Sequence, residues 1–280
     1  MIRKNRKEAI AMSKKKRRRS ASQVMLTSLL ILFVAVFLIC GGYLLSEMLW
    51  RAEEQKAYAE LGDMRQQVLA TMPSQLPTQP IDPTAPSQPP TILPELQALY
   101  EMNNELVGWI QFPDTTIDHP VMQSPDNPDF YLTHTFDKSK KKCGAVYVRE
   151  QCDVYAPSDN VVIYGHYQKG GGMFYPLKNY TKKSYWKSHQ TFTFDTLYER
   201  HTYQIIAVFK TQAYPQGYPF HWFNNAINQA EFDEYIQTVK EMALYDTGIS
   251  AEYGDKLVSL CTCEYSQKKG RLVIVAKQIS

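Results

Sequence analysis

The pattern of apolar and polar positions first sets apart the amino-terminal third of the chain. Val24 to Leu45 is an uncharged, almost wholly apolar run that would reach roughly 33 Å as a helix, enough to span the hydrocarbon core of a membrane. Glu47 to Ala70 is charged and rich in Ala, Leu and Gln, which favours a juxtamembrane stalk helix. Met72 to Pro94 contains eight prolines and therefore favours an extended spacer, with disordered filler as the alternative.

The remainder of the chain alternates short β-type runs with turn residues. Val, Ile, Tyr and Phe dominate the runs, which predicts many short strands in a barrel or a sandwich. Helices are predicted at Glu95–Asn104 and Gln229–Leu244, where apolar residues recur at helical spacing. The predicted strands are Val107–Phe112, Pro120–Gln123, Gly144–Val148, Asn160–Tyr164, Thr191–Phe194, Tyr203–Lys210, Leu257–Cys261 and Leu272–Lys277.

Charge is distributed unevenly along the chain. Residues 1–23 carry ten Lys or Arg and one Glu, whereas the rest of the chain has a net charge of −6. The basic run Lys14–Arg19 directly precedes the apolar segment, so the positive-inside rule predicts a cytoplasmic amino terminus and an extracellular domain. A tail that abuts a membrane is explained as a topology determinant, and nucleic-acid binding is not expected.

Two other interpretations of the apolar segment are weaker. A cleaved signal peptide would have a shorter apolar region and an A-x-A-like site, and neither is found. A lipoprotein at Cys40 would need a small residue where Ile39 stands. The predicted organisation is therefore a cytoplasmic tail (1–23), a single-pass cell-membrane anchor (24–46), a stalk helix with linker (47–94) and an extracellular domain (95–280).

The five cysteines do not form an evident disulfide framework. Cys40 lies in the apolar run, and Cys143 and Cys152 could pair across a hairpin, although nothing requires it. We interpret Cys261 and Cys263 as facing opposite ways on their strand, which argues against a mutual bridge and leaves Cys261 packed inward. The cysteine spacing does not fit a zinc site, and the Gly170–Gly172 run lacks the frame of a phosphate-binding loop, so no metal or cofactor is expected.

A thiol nucleophile is the candidate chemistry that best fits the residues. A catalytic Cys needs an imidazole partner and a donor for the oxyanion, because the thiolate reacts and a tetrahedral intermediate forms. His166 follows one predicted strand, Cys263 follows another, and a hairpin would bring Arg271 beside Cys263. On residue type and spacing alone, a packing or surface role is as consistent with each of these three residues as a catalytic role. The other histidines, at 119, 134, 189, 201 and 221, offer no second constellation.

Three motifs in order resemble those of the sortases. Ser259–Cys263 resembles the T-L-x-T-C signature that ends in the nucleophile, with Ser in place of the usual first Thr. Val162–His166 resembles the strand that leads to the catalytic His, and Gly270–Lys277 resembles the strand that begins with the catalytic Arg. Further runs resemble class B sortases in particular: Val107–Ile110, Ile117–Val121, Asp129–Leu132, Gly172–Phe174, Leu177–Tyr180 and the helix Gln229–Leu244.

The resemblance implies an eight-stranded sortase barrel with peripheral helices and a thiol transpeptidase of Gram-positive cell surfaces. Cys263 would be the nucleophile, His166 the general acid and base, and Arg271 the group that stabilises the oxyanion; Glu264 and Thr262 are candidate substrate-binding residues. The expected partners are secreted proteins with a carboxy-terminal sorting motif, cleaved after Thr, and an amine acceptor from a cell-wall precursor or a pilin lysine. No cofactor is implied.

Three alternatives remain open on the sequence. A cysteine endopeptidase would use the same residues and resolve the acyl-enzyme with water. An inactive surface scaffold would keep the barrel and lose the chemistry. A redox protein that uses both thiols of the Cys261-x-Cys263 pair would make Cys261 essential.

Overall fold

The computed structural model describes residues 20–72, 90–168 and 170–280, and the chain separates into two compact units that divide after Glu54. Most of the predicted basic tail and most of the Pro-rich linker lie outside the described residues. The helices, numbered in chain order, are α1 (Ala21–Thr71), α2 (Pro94–Met102), α3 (Lys183–Ser188) and α4 (Gln229–Glu241). Short 3-10 helices span Phe130–Leu132, Tyr175–Thr181 and Phe220–Trp222.

The first unit consists of the apolar part of α1. Large apolar side chains from Val24 to Leu49 are exposed along it. Within the described residues, α1 is the one helix that is long and apolar enough to cross a membrane. The helix is therefore compatible with a membrane anchor. A signal sequence near an amino terminus has the same length and apolar composition.

The second unit contains a closed barrel of eight strands, which confirms the predicted fold. Around the barrel the order is β1-β2-β3-β4-β9-β10-β8-β7, and β5 and β6 form a separate two-stranded hairpin. The strands are β1 (Leu106–Gln111), β2 (Asp118–Met122), β3 (Val146–Val148), β4 (Asn160–Tyr164), β5 (Tyr167–Gln168), β6 (Gly172–Met173), β7 (Thr191–Thr196), β8 (Thr202–Gln212), β9 (Leu257–Glu264) and β10 (Gly270–Gln278).

The direction of pairing decides which strand ends meet. Most neighbours are antiparallel, but β2 pairs with β3 in parallel and β4 pairs with β9 in parallel. Tyr164 at the end of β4 therefore lies opposite Cys261 near the end of β9. Since β10 returns antiparallel beside β9, its first residues lie at the same end of the barrel. The end of β4 and the β9–β10 hairpin, which are far apart in sequence, thus converge on one rim.

The barrel interior is a single apolar core. Its largest fully buried side chains are aromatic, and Phe112 stacks on Phe192 with the ring centroids 4.4 Å apart. Each buried side chain of this size contributes about 1.5–3 kcal/mol through removal of apolar surface from water. This core explains why the alternating apolar runs of the sequence identify the strands.

Helix α4 begins and ends for local reasons. The Asn228 side chain accepts a hydrogen bond from the Glu231 N–H, and Glu231 accepts one from the Ile227 N–H, which is a reciprocal cap. Phe232, Tyr235, Ile236 and Val239 form its buried face. The sequence predicts that the helix continues to Leu244, but the Leu244 N–H donates to the Val208 carbonyl of β8 at 2.8 Å. Contact with the barrel therefore ends the helix at Glu241.

The carboxy-terminal part of α1, from Gln55 onward, packs on the barrel as part of the second unit. Tyr58, Leu61 and Arg65 are buried, and the Tyr58 hydroxyl donates to the Gly144 carbonyl at 2.8 Å. Arg65 pairs with the buried Asp195 of β7 at 2.8 Å. The compact unit therefore begins before residue 95, where the sequence places the start of the domain, because one face of the expected stalk helix is buried.

None of the described cysteines outside α1 forms a disulfide. Cys143 and Cys152 are buried and unbridged, so the hairpin disulfide that the sequence left open is absent from the structure. The Cys152 Sγ lies 3.6 Å from the Asn160 carbonyl oxygen and 3.5 Å from Asn224 Oδ1. Its burial raises the pKa of this thiol. Cys152 is therefore a packing residue that lies behind β4.

His119 of β2 predicts how stability depends on pH. It is fully buried against the Tyr58 ring, and neither ring nitrogen has a partner among the described residues. Burial lowers its pKa from 6.5 to about 4. Between these two pH values His119 is protonated in the unfolded chain and neutral in the folded chain. The free energy of unfolding therefore falls by about 3 kcal/mol as the pH drops from about 6.5 to about 4.

Urea unfolding of the full chain in detergent at a series of pH values measures this effect. His119→Leu is expected to remove that part of the acid destabilisation, while the contribution of the carboxylates is unchanged. An identical pH dependence in the wild type and in His119→Leu would contradict the assignment.

Candidate active site

The β9–β10 hairpin brings the predicted nucleophile and the predicted oxyanion donor together. The register pairs Cys263 with Arg271 as direct antiparallel partners, as the sequence predicts. Side chains of directly opposed residues extend from the same face of the sheet. The Arg271 Nη1 donates to the Gly270 carbonyl at 3.0 Å, which holds the guanidinium near the strand end. β9 is longer than predicted, so Cys263 lies within the strand and its backbone is fixed by the ladder.

His166 follows β4 at the same rim. The Gly165 N–H donates to the Cys261 carbonyl at 3.1 Å, which extends the β4–β9 pairing by one step towards His166. The Phe174 N–H donates to the His166 carbonyl at 3.0 Å. A Cβ on Gly165 would lie 2.6 Å from the Phe174 ring, so only glycine allows this close approach. The backbone of His166 is therefore held from both sides.

The ring of His166 is oriented by a main-chain group. Its Nε2 lies 2.7 Å from the Leu132 carbonyl oxygen. A carbonyl only accepts, so this hydrogen bond places a proton on Nε2. A carbonyl in this position fixes the tautomer and the ring plane of the imidazole.

One cleft of about 360 Å³ contains the three predicted catalytic residues. Cys263, His166 and Arg271 all line it, although His166 is far in sequence from the hairpin that contains the other two. The remaining lining residues are Asp129, Leu132, Tyr147, Arg149, Glu150, Tyr164, Gly165, His221, Cys261 and Thr262. The structure thus gathers the predicted thiol, imidazole and guanidinium at one site.

The expectation that Cys261 and Cys263 face opposite ways is wrong. Successive residues of a strand alternate between faces, so residues two apart share a face. Both thiols line the cleft; Cys261 is buried and Cys263 is partly exposed. Burial raises the pKa of Cys261 to about 12, an effect that Arg271 opposes. Cys261 is therefore packed inward as predicted, but it lies below Cys263 on the same face, as a protonated thiol.

The two residues suggested as substrate contacts differ in position. Thr262 lines the cleft, and its buried hydroxyl has no hydrogen-bond partner among the described residues. The Glu264 carboxylate instead accepts from the Lys210 ammonium at 2.9 Å and from the Ser266 hydroxyl at 2.6 Å. Partial burial opposes ionisation, but these hydrogen bonds hold the pKa of Glu264 below its usual value. Glu264 is thus held by Ser266 of its own hairpin and by Lys210 of β8, and its substrate role stays a prediction.

The cleft also contains residues that sequence reasoning missed. His221 lies in the 3-10 helix Phe220–Trp222, and its pKa is lowered by burial and by the charge of Arg149. Tyr147 donates to Asp129 at 2.8 Å, and burial together with this contact raises its pKa. Only the tertiary fold brings these residues to the rim, so no local pattern could have identified them. Within the described residues, no group of three or more His, Cys, Asp or Glu could hold a metal.

Comparisons with known proteins agree with this fold. The Sortase domain family matches residues 110–279. The chain is 31% identical to a sortase B of Listeria monocytogenes, over 66% of this chain and 74% of the relative. It is 27% identical to a sortase B of Staphylococcus aureus, over 67% and 76%.

Solved structures give the same result. A Bacillus anthracis protein described as similar to sortase B superposes with a TM-score of 0.69 at 28% identity, covering 81% of this chain and 96% of the other. A Staphylococcus aureus sortase B–substrate complex superposes with a TM-score of 0.70 at 22% identity, covering 82% and 97%, and supports the fold alone. The chain belongs to the sortase family, within class B. Its activity is that of a cysteine transpeptidase which acts on sorting motifs.

Proposed function

We propose that this transpeptidase cleaves the sorting motif of a secreted protein after Thr, with Cys263, His166 and Arg271 as its catalytic residues. The observation that carries the assignment is their convergence in one cleft, with Cys263 and Arg271 as direct register partners. The acyl group then passes to an amine of a cell-wall precursor or of a pilin lysine.

The first half-reaction forms a thioester. The Cys263 thiol gives its proton to His166, and its sulfur attacks the Thr carbonyl carbon to form a tetrahedral intermediate, whose oxyanion Arg271 stabilises. The intermediate collapses with cleavage of the C–N bond, and His166 gives a proton to the departing amine. The thioacyl-enzyme keeps the amino-terminal part of the substrate on Cys263.

The second half-reaction reverses these roles. His166 removes a proton from the incoming amine, which attacks the thioester carbonyl, and Arg271 again stabilises the oxyanion. Collapse breaks the C–S bond, releases the Cys263 thiolate and leaves a new amide. The two half-reactions together need no external oxidant, reductant or cofactor.

A product assay tests the reaction. The full chain in detergent is incubated with a library of Thr-containing sorting peptides, with and without triglycine or a lysine peptide as the amine. We expect an adduct on Cys263 by mass spectrometry and a ligated product when the amine is present. Hydrolysed peptide alone, with the amine in excess, would indicate the endopeptidase. The absence of any adduct would indicate the inactive scaffold.

The apolar part of α1 supports a membrane location for this activity. We propose that α1 anchors the enzyme with its amino terminus in the cytoplasm, because the basic run Lys14–Arg19 precedes the apolar segment. Protease added to intact cells should then remove the domain and spare an amino-terminal tag. Protection of the domain, or its release into the medium after cleavage of α1, would contradict this topology.

A further inference from the structure

Arg149 lies in the cleft on a fixed backbone. It directly follows β3, and its N–H donates to the Val162 carbonyl of β4 at 2.9 Å. Its own carbonyl accepts from the Gln123 side-chain amide at 3.0 Å and from the Cys152 N–H at 3.0 Å. The position from which the side chain extends is therefore set by the barrel, at the rim that contains Cys263 and His166.

The guanidinium of Arg149 contains a buried nitrogen, Nη1, that has no acceptor among the described residues. Its Nη1 is buried and donates no hydrogen bond to any residue in the ranges 20–72, 90–168 and 170–280, and within those ranges Arg149 has no ion pair. Arg65 and Arg200 differ in having an ion pair, with Asp195 and with Glu95 respectively, although Arg65 also has two buried nitrogens without a partner among the described residues. A buried donor without a partner is costly, and the cost is higher for a charged group.

The carboxylates that share the cleft accept hydrogen bonds from other residues and not from Arg149. Asp129 accepts the Tyr147 hydroxyl at 2.8 Å, and Glu150 accepts from the Gln151 side-chain amide. The charge of Arg149 also acts on this wall of the cleft, since together with burial it lowers the pKa of His221. A positively charged residue therefore lines the cleft in which the proposed peptide would bind, and the described residues supply no acceptor for its guanidinium.

We propose that Arg149 is a specificity-determining residue that binds an oxygen acceptor on a side chain of the bound peptide, an amide or a carboxylate. The planar guanidinium presents several donors in a fixed geometry, which matches these groups and gives nothing to an apolar side chain. The inference rests on the proposed function, because it needs a peptide in the cleft. It adds a contact that is separate from the acyl-transfer residues.

Peptide preference tests the contact. Peptides share a Thr at the cleavage position and vary one preceding position at a time among Leu, Gln and Glu, which are similar in size. The rate of adduct formation on Cys263 of the full chain in detergent gives kcat/KM for each peptide. At one position the wild type is expected to show a kcat/KM about 10- to 100-fold higher for Gln or Glu than for Leu. Comparison of the Gln peptide with the Glu peptide distinguishes recognition of an amide from recognition of a carboxylate.

The same peptides are measured with two variants of Arg149 and with one control variant. Arg149→Met should reduce the favoured peptide to the rate of the Leu peptide, through KM, with the Leu rate unchanged. Arg149→Lys keeps the charge without the planar fork, so it should retain a preference for Glu and lose one for Gln. Lys187→Met removes an exposed charge on α3 and should change nothing. Alkylation of Cys263 by iodoacetamide at an equal rate confirms that each variant is folded.

The outcomes separate the two proposals. If no peptide acylates Cys263 in the wild type, the proposed function fails and the contact fails with it. If the wild type is acylated but shows no polar preference, or if Arg149→Met keeps the preference, the contact alone is overturned. An equal loss for all three peptides would assign Arg149 to the peptide main chain and would also overturn side-chain selection.

Discussion

Replacing Cys263 with alanine is expected to abolish adduct formation and transpeptidation, a loss of at least about 10³-fold, because the acyl-enzyme can no longer form. Replacing Cys261 with serine should leave the rate within about threefold of the wild type. Both thiols lie on the same face of β9, so the distinction depends on burial and not on strand face. Burial raises the pKa of Cys261 to about 12 and keeps it protonated, whereas Cys263 is partly exposed at the rim.

Parallel measurements on the two variants check this result. Intact-mass spectrometry after incubation with sorting peptides should show the adduct on Cys261→Ser and none on Cys263→Ala. Thermal unfolding of both variants controls for misfolding. An inactive Cys261→Ser that unfolds at the wild-type temperature would instead support chemistry that uses both thiols, as in the redox alternative.

Replacing Arg65 with methionine should destabilise the domain by about 3–5 kcal/mol. The ion pair of Arg65 with Asp195 is 2.8 Å long and both side chains are almost fully buried. The variant leaves the Asp195 carboxylate buried without its charged partner. Arg65 also lies over the Trp109 ring at 5.4 Å, so part of the loss is packing. The helix segment from Gln55 to Thr71 should then detach from the barrel before the barrel unfolds.

Denaturant unfolding of the full chain in detergent and limited proteolysis within residues 55–71 measure the two effects. The double variant Arg65→Met with Asp195→Asn should recover much of the stability, since the uncompensated charge is gone. Lys56→Met is the matched control on the same helix, because its pair with Glu60 is exposed and should contribute less than about 1 kcal/mol. A similarly small effect of Arg65→Met would refute the structural role of the buried pair.

Local pattern predicted the barrel because its strands carry the signal themselves. β4 begins at Asn160 and ends at Tyr164 as predicted, since its run of β-branched residues is buried and bounded by polar turns. β9 extends to Glu264, three residues beyond the prediction, because its last residues, although polar, pair with β10. The β5–β6 hairpin was missed, since two-residue strands around Gly170–Gly172 have no periodicity to detect.

Part of the candidate site was predicted because some of its residues lie at the ends of strands that the sequence pattern identifies. Cys263, His166 and Arg271 are placed by strand ends and by one hairpin, which sequence motifs encode locally. His221 and Arg149 reach the cleft only through the closure of the barrel and the return of a long loop. The buried face of α1 was missed because Tyr58, Leu61 and Arg65 stand among charged residues that resemble a solvated helix.

The parallel pairing of β4 with β9 also has a kinetic consequence. Asn160 pairs with Leu257, so the chain must close a long loop before the two strands meet. Such non-local pairing is slow in folding, and the rim forms only when it is complete. A chain that emerges unfolded would therefore lack activity until its last long-range contacts form. Recovery of peptide acylation during refolding should thus coincide with the slowest phase of barrel formation.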